Sequence, residues 1–246
     1  MAFDPDTAIG GQADRFPLTR LSLIESARAS DGLRNDALEQ VVSLYWKPVY
    51  HYVRLKWNTR NEEAKDLTQG FFTSALERDF FKRFDPQQAS FRTYVRMAVD
   101  RFAANEYASA RREKRGGKVS FVPLDFDAAD AEFAAMRVPD SPEDIFQREW
   151  QRQLFALAID DLRLYCDQAG KQVQFRIFQE YDLAAGDRPA YARLAEQAGV
   201  PVTTVNNYLA WARRMLRGFV LDRLRRVTSG DAELRDEMRS VFSRER

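Results

Sequence analysis

The spacing of apolar side chains is the feature that most limits the folds open to this chain. Between Leu38 and Val53 they recur at i, i+3, i+4 and i+7, the spacing of one helix face. No segment shows the apolar–polar alternation of a strand, and there is no internal repeat. Glycine and proline are also scarce. There are 11 glycines and 9 prolines among 246 residues, roughly 8% of the chain, whereas average usage would supply roughly 12%. The sequence therefore predicts an all-α fold.

Caps and turn residues indicate where these helices begin and end. Ser90 and Ser141 are good N-caps, and Ser141 is followed by a proline and two acids. Pro48 is expected to kink the long helix that contains it, because proline removes a hydrogen-bond donor. Residues 119–140 are acidic and lack helical spacing, so we predict a linker there. The predicted helices start after Thr19 and at residues 61 and 141, and cover about 34–57, 91–115, 171–181, 190–198 and 202–225.

Cysteine and histidine usage excludes several classes of site. The single cysteine, Cys166, permits neither an internal disulfide nor a Cys-rich zinc site, and it suits a reducing cytoplasm. The single histidine, His51, lies among aromatic residues and is interpreted as a packed or half-exposed structural residue. A helical carboxylate metal site would want Glu-x-x-His, but Pro48 stands three residues before His51. We therefore expect no metal, no cofactor and no enzymatic activity.

The charge pattern favours a polyanionic partner. Although the net charge is only +1, residues 111–118 carry five positive charges against one negative, and residues 213–226 carry six against one. The segment between them, residues 125–149, is acidic. The alternative interpretation is that these two basic segments and the acidic one are ordinary solvated surface.

No apolar stretch approaches the length of a membrane span, and no export signal opens the chain. We expect a cytoplasmic protein without membrane contact.

Residues 191–209 have the pattern of a helix-turn-helix. A short helix is followed by a turn at Gly199 and by a helix with polar residues in its first two turns. Asparagine can pair with adenine, and arginines farther along suit phosphates. An ordinary helical hairpin is the alternative. The apolar residues expected to join the two helices are Leu194, Ala195, Ala198, Val200, Val205 and Leu209. The residues expected to face DNA are Thr203, Thr204, Asn206, Asn207, Tyr208, Arg213 and Arg214.

The N-terminal half carries a second pattern. Residues 66–72 have the sequence DLTQGFF, and the helix that opens at Phe91 combines an apolar stripe with an arginine flank and a basic end. Aromatic rings beside guanidinium groups suit unpaired bases as well as phosphates. An aromatic stripe that belongs to the core is the alternative. The basic residues of this helix are Arg92, Arg96, Arg101, Arg111, Arg112, Lys114 and Arg115.

Together these segments resemble an extracytoplasmic-function sigma factor, a bacterial transcription factor that has only sigma regions 2 and 4. Asp66-Leu67-Thr68-Gln69 followed by Phe72 resembles region 2.2, and residues 91–95 resemble the start of the helix that serves regions 2.3 and 2.4. Residues 192–214 resemble the helix-turn-helix of region 4.2. The resemblance covers roughly residues 20–118 and 145–225.

The resemblance implies a transcription initiation factor that binds core RNA polymerase and directs it to promoters. It implies two helical domains joined by the acidic linker, which would thread toward the RNA exit path. The implied segments are a tail (1–18), region 2 (19–118), the linker (119–140), region 4 (141–228) and a C-terminal extension (229–246).

The same resemblance implies the partners and their surfaces. The polymerase clamp would be held through Glu63, Asp66, Gln69 and Phe72, and region 4 would lie near the flap. The −10 element would be melted and captured by residues 84–91 and the following helix, starting with Phe91, and the −35 element would be bound by residues 203–208. An anti-sigma factor or a Ser/Thr kinase is a candidate regulator.

Some positions depart from the family pattern. Lys65 stands where an acid is usual, and Pro201 stands where a Ser-like cap is usual. Thr68, close to Lys65, is a candidate phosphorylation site because a phosphate would add negative charge.

The alternative function is a free-standing helix-turn-helix regulator whose N-terminal domain binds an effector or dimerises. Such a regulator would not need the Asp66–Phe72 motif or the basic helix.

Overall fold

The computed structural model describes residue 24 and residues 31–77, 80–110, 124–135 and 141–242. Within these residues every regular element is helical and no strand is present, as the apolar spacing predicted. None of the described helices is long and apolar enough to cross a membrane. The helices are α1 (Asp31–Lys56), α2 (Asn61–Glu77), α3 (Phe91–Ala110), α4 (Phe126–Ala134), α5 (Pro142–Gln168), α6 (Gln172–Phe178), α7 (Tyr191–Ala198), α8 (Val202–Arg226) and α9 (Asp231–Phe242).

The predicted serine caps are confirmed. The Ser90 hydroxyl accepts a hydrogen bond from the Thr93 amide at 3.3 Å, at the start of α3. The Ser141 hydroxyl accepts a hydrogen bond from the Asp144 amide at 3.1 Å and donates one to the Asp144 carboxylate at 2.7 Å, so both helix starts are stabilised locally.

Helix α1 continues without interruption through Pro48. Of the helix predicted after Thr19, only Ile24, which is buried, lies within the described residues.

The prediction of a linker without a helix at 119–140 is wrong for its middle part. Residues Phe126–Ala134 form α4, and the Asp125 carboxylate accepts a hydrogen bond from the Ala128 amide at its start. The Phe126 ring packs edge-on against Trp46 and Tyr50, at centroid distances of 5.5 and 5.4 Å. A segment of nine residues is too short to show a helical period in the sequence. The helix is apparent only in the folded structure, where it packs against α1.

The chain divides into two compact units. The bundle unit comprises the described parts of Leu21–Leu154 and Leu224–Arg246, and the helix-turn-helix unit comprises Phe155–Arg223. The sequence predicted a boundary at residue 141, whereas the start of α5 belongs with the N-terminal helices. The reason is aromatic packing, because Phe146 lies 6.3 Å from the Tyr45 ring and 5.6 Å from the Tyr52 ring.

Candidate nucleic-acid interface

The turn between α7 and α8 has the backbone geometry that its glycine predicts. Gly199 has φ 65°, in the left-handed region that favours glycine, and ends α7. The Val200 amide donates back to the Ala195 carbonyl at 3.0 Å, which closes the end of α7. The Pro201 carbonyl then accepts a hydrogen bond from the Thr204 amide at 2.9 Å, at the start of α8.

The predicted apolar contacts of the helix-turn-helix are confirmed. Leu194, Ala195, Val205 and Leu209 are buried in one cluster, and Ala198 and Val200 are partly buried against it. The cluster also holds residues from α5, α6 and the middle of α8. These are Leu162, Cys166, Phe175, Ile177, Phe178, Ala212 and Met215. The helix-turn-helix therefore has a hydrophobic core within its own unit.

The start of α8 presents a polar face to solvent. Thr203, Asn206 and Asn207 are exposed, and their i, i+3, i+4 spacing puts them on one side of the helix. Thr204 is half-buried, and Tyr208 packs partly against the apolar cluster. Of the five residues between 203 and 208 that were predicted to face DNA, the structure thus brings three together on the open face and turns Tyr208 inward.

Arg213 and Arg214, grouped together by the sequence, have different surroundings. The Arg213 Nε and Nη2 atoms donate to the two carboxylate oxygens of Asp182 at 2.8 and 2.9 Å. These hydrogen bonds raise the pKa of Arg213 above its ordinary value. Asp182 lies in the π-helical turn Gln179–Leu183, where the sequence showed no functional signal. Arg214 is exposed, so it is the better placed of the two to contact a phosphate.

The predicted polymerase-binding motif is divided between surface and core. Glu63, Asp66 and Gln69 are exposed at three-residue spacing along α2. Phe72 is only 1% exposed and lies in the core beside Phe71, with ring centroids 5.0 Å apart. Phe72 therefore does not belong to an interaction surface, contrary to the expectation, because the second aromatic of the motif faces the bundle.

Local contacts modify the surface around these acids. The Lys65 ammonium lies 3.1 Å from both the Glu62 and the Asp127 carboxylates, and the two hydrogen bonds raise its pKa. Glu63 accepts a hydrogen bond from the Tyr107 hydroxyl at 2.7 Å. Burial, together with this hydrogen bond, raises the pKa of Tyr107 to about 12.

The candidate phosphorylation site is not accessible in this conformation. Thr68 is fully buried, and its hydroxyl donates to the Ala64 carbonyl of the preceding helical turn at 2.7 Å. A kinase would therefore have to unfold part of α2 to reach it.

Phe91, predicted to contact DNA, is instead a core residue. It is 0% exposed. Its ring packs among those of Tyr45, Phe80, Phe81, Phe84 and Tyr94, at centroid distances of 5.2 to 6.2 Å. The buried side of α3 continues through Val95, Val99 and Ala103. The core interpretation of the aromatic stripe is thus the correct one for Phe91.

The three described arginines of α3 differ in how much they are engaged. Arg92 Nη1 lies 3.2 Å from Glu237 Oε2, and its guanidinium carbon lies 4.5 Å from the Trp150 ring centroid. Arg96 lies 3.6 Å from a Glu143 carboxylate oxygen, whereas Arg101 is exposed. Glu237 carried no functional signal in the sequence, because it lies in the predicted C-terminal extension. The other basic residues assigned to this helix, Arg111, Arg112, Lys114 and Arg115, lie outside the described residues.

His51 is fully buried, which is the packed one of the two environments predicted for it. Its Nε2 atom lies 2.9 Å from the Ala129 carbonyl oxygen, and its Nδ1 atom lies 3.5 Å from a Glu149 carboxylate oxygen. The described part of the chain contains no group of three or more His, Cys, Asp or Glu side chains that could hold a metal ion. His51 thus joins α1, α4 and α5.

Comparison with protein-family models, curated proteins and solved structures finds no match for this chain. Its function is therefore inferred from its own residues and their geometry.

Proposed function

We propose that this protein is a transcription initiation factor of the sigma type, which binds core RNA polymerase and directs it to promoters. The observation that carries the proposal is the helix-turn-helix whose second helix exposes Thr203, Asn206 and Asn207 on one face. Polar residues at the start of the second helix are those that enter the major groove in DNA-binding proteins of this type. In this role the protein acts by binding and positioning, without catalytic chemistry of its own.

The bundle unit contributes the polymerase contact in this proposal. The exposed acids Glu63 and Asp66, with Gln69 one turn later, form a short acidic row on α2. A carboxylate row suits a basic partner surface, because complementary charge guides association and disfavours wrong partners. A free-standing regulator would need the helix-turn-helix but not this row, so the row separates the two candidate functions.

Asn206→Ala is expected to relax promoter preference, whereas Arg214→Ala is expected to weaken binding to all sequences alike. Loss of one good base contact costs about 1–3 kcal/mol of discrimination. A phosphate contact carries no sequence information, so its loss weakens binding to all sequences alike. The loss also lowers the dependence of affinity on salt concentration by roughly one phosphate contact. The measurement is binding to a promoter library at two salt concentrations. Gln168→Ala, which removes an exposed amide outside α7 and α8, is the control.

A changed base preference in Arg214→Ala but not in Asn206→Ala would contradict this orientation of α8. Arg213→Ala is a different experiment, because it also breaks the two hydrogen bonds to Asp182. It is expected to disturb the position of the π-helical turn as well as DNA affinity.

Asp66→Arg is expected to weaken binding to core RNA polymerase about tenfold, since a like charge facing a basic partner is strongly unfavourable. The measurement is a titration of labelled protein with core polymerase, with circular dichroism to verify the fold. Glu39→Arg makes the same charge reversal at an exposed position of α1 and is the matched control. If neither the wild type nor any variant binds core polymerase while duplex DNA is still bound, the free-standing regulator is the better description.

A further inference from the structure

Helix α9 lies across the start of α3 within the bundle unit. One Glu233 carboxylate oxygen accepts the Phe91 amide at 2.5 Å, and the other accepts the Ser229 amide and hydroxyl at 2.8 and 2.7 Å. Glu237 lies 3.2 Å from Arg92. Two carboxylates from α9 thus hold the first backbone amide of α3 and its first arginine.

The contact is substantial on the α9 side. Glu237 is only 4% exposed, and Val241 is also buried. Burial raises the pKa of Glu237, although nearby Arg92 acts in the opposite direction. The Ser240 hydroxyl and carbonyl each accept a hydrogen bond at 3.0 Å from a side-chain amide of α5. Helix α9 is therefore packed and hydrogen-bonded to the bundle rather than held by a single ion pair.

The space beside this contact is acidic. A cavity of about 340 Å³ lies between α9 and the start of α3, and its lining includes Ser90, Arg92, Glu233, Asp236 and Glu237. The lining therefore carries three carboxylates and one guanidinium group. A nucleic-acid phosphate that approached this surface would be repelled while α9 is docked.

We propose that α9 is an inhibitory lid, which keeps single-stranded promoter DNA from the start of α3 until it is displaced. The inference rests on the proposed function, because the resemblance to sigma factors implies that residues 84–91 and the start of α3 capture the melted −10 element. Phosphates are anions like the carboxylates they would replace, and they use the same donors, a helix-start amide and a guanidinium group. A lid lowers apparent DNA affinity by the fraction of molecules in which it is closed.

The first test compares affinities for a labelled single-stranded oligonucleotide by fluorescence anisotropy. The variant Glu233→Gln/Glu237→Gln keeps the side-chain size and removes both charges. Weakening two charge-assisted contacts is expected to raise affinity about tenfold. Asp231→Asn removes one charge from the exposed start of the same helix, outside the cavity lining, and is expected to change affinity little. Absence of any gain in the double variant, including absence of binding, would overturn the proposal.

The second test uses the unmodified chain, so it decides the question even if the double variant does not fold. Amide hydrogen exchange is measured with and without the oligonucleotide. Residues 231–242 are expected to lose protection when DNA binds, and unchanged protection in DNA-bound protein would overturn the lid.

A parallel titration with core polymerase separates this proposal from the proposed function. If polymerase binds but the Glu233→Gln/Glu237→Gln variant gains no oligonucleotide affinity, the lid proposal alone is overturned. If polymerase does not bind but the variant gains affinity tenfold, the proposed sigma function is overturned and the lid proposal stands.

Discussion

Phe91→Ala is expected to lower the free energy of unfolding of the bundle unit by about 3–5 kcal/mol, the cost of emptying a fully buried aromatic position. The ring contacts five other aromatic rings, so few neighbours can move into the space. Urea denaturation followed by circular dichroism measures the change. Met97→Ala, on the same helix but at a side chain that is 43% exposed, is expected to cost far less.

This comparison also decides between the two interpretations of the aromatic stripe. A small loss of stability together with a large loss of DNA binding in Phe91→Ala would show that the Phe91 ring contacts DNA. A large loss of stability in Phe91→Ala, with native stability in Met97→Ala, would establish Phe91 as a core residue.

Glu149→Ala is expected to lower the free energy of unfolding by about 1–3 kcal/mol, because it removes the carboxylate that faces the buried Nδ1 atom of His51. Glu149 and His51 are both 0% exposed. Arg152, which donates to Glu149 at 2.7 Å, is 60% exposed. Arg152→Ala is therefore the control and is expected to cost less than about 1 kcal/mol. Equal losses in the two variants would show that the His51 contact contributes little.

The same pair predicts a dependence of stability on pH. Burial raises the pKa of Glu149, but His51, followed by Arg152 and Lys47, outweighs burial, and the pKa lies below its ordinary value of 4.5. The unfolded chain therefore binds the proton more readily than the folded chain. The stabilisation is complete above pH 4.5 and is lost as pH falls through the folded-state pKa. Glu149→Gln is expected to lack this component in urea denaturation at a series of pH values.

The turn and the apolar contacts of the helix-turn-helix could be predicted from the sequence. Its apolar residues follow helical spacing within one short segment, and Gly199 marks the turn through its backbone conformation. The exposed positions Thr203, Asn206 and Asn207 follow from the same spacing. All of this information is local, because the helices contact each other across only a few turn residues.

The motif residues of the bundle unit were predicted less well. Phe72 and Phe91 belong to patterns that suggest partner binding, and both are buried. Helical spacing shows that aromatic residues share a face. It does not show whether that face meets the core or a partner, because both choices have the same period and the same side-chain types.

The sequence by itself determined the all-α class, the serine-capped helix starts and the glycine turn, because these depend on residues within one or two helical turns. The tertiary structure alone decided which predicted contact residues are free. Arg213 is held by Asp182, 31 residues away, and the Phe91 amide is held by Glu233, 142 residues away. Contacts over such separations leave no period in the sequence, since any exposed acid could have supplied the carboxylate, and only the folded chain selects one.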